Sequence, residues 1–183
     1  RADEFFVVSN GLELDDHIQI QKALEKLFDI RLTISIGYGE SPFEANLKAY
    51  EGKKNETILN KEHNIFGFVN GKSDSKVSIM HLDVDDLTSR RQINSPYEIS
   101  SIIFELYSKM SKFFLEKNSL TFFMGGDNFM VIASDDAKNS VQNFIDIIKS
   151  DDKISLNCGI GNGHTAREAV KLATQSLDTI RKI

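Results

Sequence analysis

Two aspartates have the chemistry and the spacing of a cation site. Asp83 ends the apolar run 77–84, and Asp127 follows about 44 positions later in a turn between the apolar runs 120–123 and 130–133. Magnesium prefers oxygen ligands and keeps several waters, so one or two carboxylates leave coordination positions open for phosphate oxygens. Without a cation, two close carboxylates repel each other and the pKa of one of them rises. We therefore predict that Asp83 and Asp127 bind one or more Mg²⁺ ions in a phosphate-handling enzyme.

The turn that carries Asp127 begins with two glycines. Gly125 and Gly126 permit a tight hairpin whose backbone a ligand can approach closely. We predict that both glycines and the neighbouring Asn128 bind a nucleotide. The alternative is that Asp127 only stabilises the turn, which is a common role for aspartate; its combination with Asp83 on a preceding strand favours the metal site. Two further acidic residues could be secondary ligands or a solvated strand end: Asp85 and Asp86.

Other side chains could act on an anionic ligand or transfer protons. Arg181, with Lys182 beside it, is a candidate phosphate-binding residue, although an arginine at a helix C-terminus also suits the helix dipole. His81 and His164 are candidate acid–base groups, although lone histidines more often have structural roles. A glycine-rich strand end precedes a predicted helix whose N-terminus could receive an anion; its glycines are Gly159, Gly161 and Gly163.

Composition restricts the class of protein. The 183 residues are 40% hydrophobic and 27% charged, which is ordinary for a soluble globular protein. The net charge of −5 disfavours non-specific binding to nucleic acid, which requires a basic surface. The single cysteine, Cys158, excludes an intrachain disulfide and fits a reducing compartment. No apolar run is long enough to span a membrane. We predict a cytoplasmic protein with no nucleic-acid partner and no membrane partner.

An internal repeat organises the chain. The segment 161–169 (GNGHTAREA) matches 37–45 (GYGESPFEA) at an offset of 124 residues (161 − 37). The same offset places the hairpin segment 127–132 on 3–8, which predicts a strand there. Two separated segments that agree on one offset indicate two copies of one unit. The first strand and helix of the second copy have no counterpart in the first, so we predict a first copy that is truncated at its N-terminus.

The sequence pattern of the second copy predicts six elements in this order: a strand at 77–84, a helix at 96–117, a hairpin at 119–133, a helix at 137–150, a strand at 153–160 and a helix at 165–181. This order is that of a ferredoxin-like or palm unit. An extra strand is predicted at 65–69 and a polar linker at 70–75. We predict an α+β fold of tandem ferredoxin-like or palm domains, with antiparallel sheets flanked by helices and with domain boundaries at 1–75 and 76–183.

Three motifs carry a resemblance to a known family; they are HLDVDDLT at 81–88, FMGGDNFM at 123–130 and GIGNGHTA at 159–166. In these motifs, and over nearly all of its length, the chain resembles the archaeal-type GTP cyclohydrolase III family. The Gly-Gly-Asp-Asn-Phe sequence is more specific than Gly-Gly-Asp alone, and the tandem repeat strengthens the resemblance.

The resemblance implies palm-like domains related to nucleotidyl cyclase and GGDEF domains, and a Mg²⁺-dependent hydrolase that acts on GTP. It implies opening of the guanine imidazole ring without release of formate, together with cleavage of the triphosphate. The product would be 2-amino-5-formylamino-6-ribofuranosylamino-4(3H)-pyrimidinone 5'-monophosphate, a precursor of riboflavin and the deazaflavin cofactor. The resemblance also implies that Asp83 and Asp127 are the metal ligands, that Arg181 binds phosphate, and that members form homo-oligomers and respond to a monovalent cation.

Two alternative functions remain open. A nucleotidyl or diguanylate cyclase would use the same two carboxylates, but Asn128 stands where a third acidic residue would be expected. A non-catalytic nucleotide-binding module would bind GTP without turnover. The sequence assigns no residue to the attack on C8 of the guanine.

Overall fold

The protein is described from a computed structural model, which defines residues 4–69, 76–85, 87 and 92–181. The chain divides into two compact units, residues 1–75 and 76–183. Each unit has its own β-sheet. The linker predicted at 70–75, together with Asp86 and Lys182, lies outside the described residues.

The first unit combines short strands with two helices in its described part. The elements are α1 (Leu14–Phe28), β1 (Ile34–Ile36), α2 (Pro42–Lys54), β2 (Ile58–Asn60) and β3 (Ile65–Gly67). Strand β3 lies between β1 and β2, antiparallel to β2 and parallel to β1. The parallel pair differs from the antiparallel pairing that the sequence predicts. Helix α2 lies between β1 and β3 in the chain, and a helical crossover brings the chain back in the same direction.

The strand predicted at 3–8 is wrong for the described residues of that segment. Residues 4–8 have no regular secondary structure, and Phe5 is 82% exposed. A strand needs hydrogen-bonded neighbours for its backbone groups. The corresponding strand of the second unit has a neighbour on each side, whereas no strand pairing involves residues 4–8 among the described residues.

The two units repeat one set of close contacts at the predicted offset. A Cβ built on Gly37 would lie 1.8 Å from the carbonyl oxygen of Ala45, and one built on Gly161 would lie 2.1 Å from that of Ala169. The helix N-caps correspond too. The hydroxyl of Ser41 accepts a hydrogen bond from the backbone N–H of Glu44, and the hydroxyl of Thr165 accepts one from the backbone N–H of Glu168. These contacts support the repeat, while the tandem-palm interpretation of the first unit stays a prediction.

The second unit has the predicted order of strands and helices. Its elements are β4 (Val77–Val84), α3 (Pro96–Leu115), β5 (Leu120–Gly125), β6 (Asn128–Ile132), α4 (Asp135–Asp151), β7 (Leu156–Gly163) and α5 (Ala166–Ile180). The strand order is β5-β6-β4-β7, and the pairs in this sheet are antiparallel. The prediction of an α+β fold with an antiparallel sheet flanked by helices is confirmed for this unit.

Helices cover the two faces of this sheet differently. Side chains on one face of β4, Met80, Leu82 and Val84, are buried in a core with α3 and α4. Because successive side chains of a strand alternate between faces, the opposite face carries Ile79, His81 and Asp83, and α5 packs on that side. The sheet therefore has one face with a mainly apolar core and one face on which polar side chains lie beneath a helix.

Glycines in β7 bring α5 unusually close to the sheet. A Cβ on Gly159 would lie 2.1 Å from the carbonyl oxygen of Ala173, and one on Gly161 would lie 2.3 Å from the backbone nitrogen of the same residue. No side chain fits between the helix and the strand at these positions. The glycines thus have a packing role, which the sequence left open beside anion binding. Within the described residues, no helix has both the length and the apolar character that a bilayer span requires.

Candidate metal and nucleotide site

Asp83 is a buried carboxylate near the end of the central strand β4. It is 4% exposed, and its Oδ2 accepts hydrogen bonds from Nε of Arg181, at 3.0 Å, and from Nη2 of the same guanidinium. Its Oδ1 is buried and has no hydrogen-bond partner among the described residues. Burial raises the pKa of Asp83 and the Arg181 charge opposes this rise, while the negative charge of Asp127 adds to it. The side chain therefore has one satisfied oxygen and one that lacks a partner.

Asp127 lies at the tip of the hairpin that joins β5 and β6. Gly125 and Gly126 both have positive φ values, 103° and 66°, a backbone region that other residues rarely adopt. A Cβ on Gly125 would meet nothing within 4 Å. The glycines are therefore required by the backbone conformation, and the space beside Gly125 is open. The predicted hairpin forms, and its exposed tip leaves room for a ligand.

The structure brings the two predicted metal ligands to the same end of the sheet. Asp83 pairs with Asn128 across β4 and β6, and Asn128 directly follows Asp127. The Nδ2 of Asn128 donates to Oδ1 of Asp127 at 2.8 Å. In the part of the chain that the structure describes, no third His, Cys, Asp or Glu completes a metal cluster. Two carboxylates are nevertheless a sufficient protein contribution for Mg²⁺, which keeps its remaining positions for waters and phosphate oxygens.

The residues fit a divalent cation for a second reason. The unpartnered buried Oδ1 of Asp83 carries a desolvation cost that a cation would remove, because a buried carboxylate oxygen is stable when it is paired or coordinates a metal. A metal would be held by Asp83 and Asp127.

Arg181 reaches this site from the end of α5, 98 positions away from Asp83 in sequence. Its side chain is 41% exposed, and Asp178 lies 3.8 Å from it as a weaker ionic neighbour. The contact with Asp83 raises the pKa of the guanidinium, which therefore stays charged. The prediction that Arg181 binds phosphate remains a prediction, and the structure adds that Arg181 neutralises one of the two predicted metal ligands.

The two candidate histidines occupy very different places. His81 lies on β4 beside the site, and both of its ring nitrogens have hydrogen-bond partners, Thr174 and Asn128. His164 follows the end of β7 that pairs with Val77, which places it at the far end of the sheet, about 20 Å from Asp83 at about 3.3 Å per strand residue. His164 is thus not part of this site, and His81 has no ring nitrogen left over for proton transfer to a ligand.

The structure also resolves the position of Asp85, the remaining described candidate. Asp85 is exposed, and its backbone N–H donates to the carbonyl oxygen of Ser155 at 2.9 Å. The residue therefore continues the pairing of β4 and β7 by one position. No described contact joins its side chain to Asp83 or Asp127.

Cys158 is a neighbour of the site that the sequence did not connect with it. It lies on β7 opposite Leu82. Burial, with a smaller contribution from the charge of Asp83, raises the pKa of its thiol to about 12. The thiol is therefore protonated near neutral pH. Because Cys158 shares its face of the sheet with Leu82, its side chain lies on the face opposite to that of Asp83.

A groove at the same end of the sheet was not predicted from the sequence. It has a volume of about 520 Å³ and runs between the first turns of α3 and the hairpin, lined among others by Asn94, Ser100, Phe104, Phe123 and Gly126. The rings of Phe104 and Phe123 meet edge to face with centroids 5.9 Å apart. Phe104 is 58% exposed, and a large aromatic residue on the outer side of an amphipathic helix is a sequence signal that could have indicated this groove.

Known proteins are similar in sequence to this chain over almost its whole length. The family profile described as GTP cyclohydrolase III matches residues 1–183. The chain belongs to the GTP cyclohydrolase III family. A GTP cyclohydrolase III from Methanothermobacter thermautotrophicus is 29% identical over 99% of this chain and 74% of its own length. One from Saccharolobus islandicus is 30% identical over 99% of this chain and 73% of its own length.

Solved structures support the fold of this GTP cyclohydrolase III family member. The GGDEF domain of DgcB from Caulobacter crescentus, solved in complex with c-di-GMP, superposes with a TM-score of 0.51 at 11% identity. The match covers 84% of this chain and 93% of that domain. At this identity the likeness concerns the fold alone, and it confirms the predicted palm architecture. The prediction that the chain is an enzyme, a GTP cyclohydrolase, is confirmed by the family match.

Proposed function

We propose that the protein is a Mg²⁺-dependent hydrolase that opens the imidazole ring of GTP and cleaves its triphosphate. The product would be 2-amino-5-formylamino-6-ribofuranosylamino-4(3H)-pyrimidinone 5'-monophosphate, which retains the carbon that other ring openings lose as formate. The observation that carries the proposal is the pair Asp83 and Asp127, which meet at one end of the sheet in a chain of the GTP cyclohydrolase III family. The product is chemically suited to riboflavin and deazaflavin synthesis, as the sequence resemblance predicts.

The carboxylate pair has the properties that a metal–triphosphate site requires. When bound, Mg²⁺ would neutralise phosphate charge and activate a water. Asp83 would offer its unpartnered Oδ1, and Asp127 would offer the oxygen that Asn128 does not occupy. Gly125 and Gly126 carry no side chains, and the Cβ position of Gly125 has no neighbour within 4 Å among the described residues, so phosphate oxygens would be able to approach the hairpin amides.

The groove between α3 and the hairpin is proposed as the guanine site. A volume of about 520 Å³ lies in the range of about 300–1,000 Å³ that small-molecule sites occupy. Phe104 and Phe123 would provide aromatic contact to a purine, and Asn94 and Ser100 are polar residues in the same lining. Gly126 belongs to the hairpin and also lines the groove. A nucleotide with its base in the groove would therefore extend its phosphates toward Asp127.

Arg181 is proposed as the residue that binds phosphate once the nucleotide enters. A guanidinium recognises carboxylate and phosphate with the same planar arrangement of donors. In the structure this fork is directed at Asp83, and its 41% exposure leaves a face accessible to a ligand. Arg181 would thus contact the phosphates at the place where the carboxylates meet them.

Cyclic or dinucleotide synthesis is the competing proposal, because the fold is shared with GGDEF domains. Asn128 speaks against it: the side chain donates to Asp127, which a third carboxylate would not do. A monovalent cation, a homo-oligomeric state and a cytoplasmic location remain predictions from the sequence and its resemblance.

Mass spectrometry of the products formed from GTP and Mg²⁺ by the full-length natural protein tests the proposal. We expect the formylamino-pyrimidine monophosphate, with turnover reduced by about 100-fold or more in Asp83→Asn and Asp127→Asn. The matched control is Asp136→Asn, an exposed aspartate of α4, which should retain wild-type turnover. A cyclic nucleotide or dinucleotide product would overturn the proposal in favour of a cyclase, and GTP that binds without turnover would indicate a binding module.

A further inference from the structure

A chain of three hydrogen bonds runs from α5 through the sheet to the hairpin. Oγ1 of Thr174 lies 3.1 Å from Nδ1 of His81, and Nε2 of His81 lies 3.0 Å from Oδ1 of Asn128. Nδ2 of Asn128 donates to Oδ1 of Asp127 at 2.8 Å. The participants come from α5, β4, β6 and the β5–β6 turn, so the chain connects elements that are far apart in sequence.

The chemistry of its last member fixes the direction of the two bonds that Asn128 makes. An ionised carboxylate only accepts hydrogen bonds, so the nitrogen of the Asn128 amide must face Asp127 and its oxygen must face His81. An amide oxygen only accepts, so Nε2 of His81 must carry a proton. In the tautomer that is protonated at Nε2 alone, Nδ1 is an acceptor and the hydroxyl of Thr174 is the donor. All three donors then point toward Asp127, an arrangement in which the bonds strengthen one another.

We propose that His81 and Thr174 are positioning residues, which hold the Asn128 amide and through it the Asp127 carboxylate in the orientation that the site needs. The proposal rests on the proposed function insofar as Asp127 is taken as a metal ligand. With Oδ1 engaged by Asn128, the other oxygen of Asp127 is the one available to a cation. A ligand carboxylate fixed in this way by outer hydrogen bonds is a general feature of metal sites.

The proposal also accounts for the amide at position 128. A carboxylate at this position could accept a hydrogen bond from Nε2 of His81, but it could not donate one to Asp127. The negative charges of the two carboxylates would also repel each other. Asn128 is suited to lie between a donor and a carboxylate because its amide offers one oxygen and one NH₂ group. His81 and Asn128 therefore form a matched pair in this chain.

The close packing of α5 makes the first bond possible. Gly159 lies directly opposite His81 on the neighbouring strand, and a Cβ there would lie 2.1 Å from the backbone of α5. Because the helix backbone rests on the strand at this point, the short side chain of Thr174 can reach a ring on the sheet. A larger residue in place of Gly159 would raise the helix and break the chain at Thr174.

Replacement of the Thr174 hydroxyl provides the sharpest test. Thr174→Val keeps the shape of the side chain and removes the donor, while Thr174→Ser keeps the donor. The matched control is Thr179→Val on the same helix, whose hydroxyl donates only to the helix carbonyl of Gln175. We expect Thr174→Val to raise the Mg²⁺ concentration for half-maximal turnover about 10-fold, at the lower end of the range of about 10–100-fold for such outer residues, with the serine and control variants within about 2-fold.

His81 variants extend the same test. His81→Leu should raise the Mg²⁺ requirement by a larger factor, up to about 100-fold, and His81→Gln, whose amide can donate to Asn128, should recover most of the loss. The KM for GTP at saturating Mg²⁺ should change less than the Mg²⁺ requirement in both variants. A general loss of folding would instead lower all activities together and would appear as a lower melting temperature.

The proton on Nε2 of His81 gives a readout that does not depend on activity. In ¹⁵N-labelled protein without metal or nucleotide, NMR correlations between ring nitrogens and ring protons should show a proton on Nε2 of His81. A ring that lacks a proton on Nε2 would overturn the proposal, as would a Thr174→Val protein indistinguishable from Thr179→Val in its Mg²⁺ requirement. If wild-type protein makes no ring-opened product, the proposed function fails by itself, and Mg²⁺ binding measured by calorimetry on the same variants still decides the positioning role.

Discussion

Arg181 at the end of α5 donates two hydrogen bonds to the same carboxylate oxygen of Asp83 on β4, and the other oxygen has no partner among the residues that the structure describes. The pair joins the most buried acidic group of the site to a guanidinium that remains 41% exposed. This asymmetry makes Asp83 a poorly stabilised carboxylate, since burial raises its pKa despite the arginine. The buried oxygen of Asp83 that has no partner therefore lowers the stability of the folded protein and also makes the carboxylate able to bind a cation.

Asp83→Asn should stabilise the protein at neutral pH while it removes the site. Because the pKa of Asp83 is raised in the folded protein, the wild-type free energy of unfolding should fall as pH rises from the ordinary carboxyl range through that raised pKa. The asparagine variant should lack this part of the pH dependence and should have a higher free energy of unfolding than the wild type at pH 7. Chemical denaturation at several pH values measures this.

Asp178→Asn is the control for that comparison. Asp178 also faces Arg181, at 3.8 Å, but it is 53% exposed, so its removal should change the free energy of unfolding by less than about 0.5 kcal/mol. An Asp83→Asn protein less stable than wild type at pH 7 would contradict the prediction.

Magnesium should stabilise the folded protein through the two carboxylates. At an ion concentration of about 100 times Kd, binding to the folded state alone adds about 2.7 kcal/mol, which is measurable as a higher melting temperature. Chelation with EDTA should reverse the increase. The double variant Asp83→Asn/Asp127→Asn should show no increase, and an equal increase in that variant would place the ion elsewhere.

Gly126→Ala should affect the ligand more than the fold. The positive φ of 66° makes the substitution cost about 1–2 kcal/mol of stability, and Asn128 Nδ2, 3.9 Å away, is the single neighbour of the added Cβ within 4 Å. A methyl group here would nevertheless project toward an approaching nucleotide. We expect the KM for GTP to rise about 10-fold, about 1.4 kcal/mol of binding.

Gly11→Ala is the control for the backbone cost of Gly126→Ala. Gly11 also has a positive φ, 78°, and open space around its Cβ position. Both variants should lose similar stability in denaturant, and only Gly126→Ala should raise KM. Equal KM values would show that the hairpin does not contact the nucleotide.

Phe104→Ala tests the groove as the guanine site. The side chain is 58% exposed and its main described ring contact is with Phe123, so the stability loss should be about 1 kcal/mol. Loss of an aromatic contact to the base should raise the KM for GTP about 10-fold, since base–aromatic contacts are worth about 1–3 kcal/mol. Leu115→Ala, an exposed residue at the other end of α3, should leave KM unchanged.

Local patterns were enough to predict the elements of the second unit. Alternating or continuous apolar runs predicted β4 and the hairpin, and the Ser95–Glu98 capping box, which the structure contains, predicted where α3 begins. Asp83 and Asp127 were predicted because a carboxylate at a strand end and one at a glycine turn fit one chemistry. Each of these inferences uses information that lies within a few residues.

Relationships that depend on packing were beyond the sequence. No local pattern connects Arg181 with Asp83 or Thr174 with His81, because both contacts depend on how far α5 lies from the sheet. The groove beside Phe104 arises between α3 and the hairpin, and no local pattern predicts the space between two elements. The strand expected at 3–8 was wrong for a related reason. A strand is stable only when neighbouring strands pair with it, and similarity between two segments does not show whether such neighbours are present.

The glycines of β7 have a consequence for how this protein can change over time. An interface of large side chains can be rebuilt by exchanging one apolar residue for another of similar volume, and the α3–α4 face of the sheet has that freedom. Between α5 and β7, backbone meets backbone, so no exchange of volumes is available. Mutational drift should therefore be concentrated on the apolar face, while the helix that carries Thr174 and Arg181 keeps a nearly constant distance from the site.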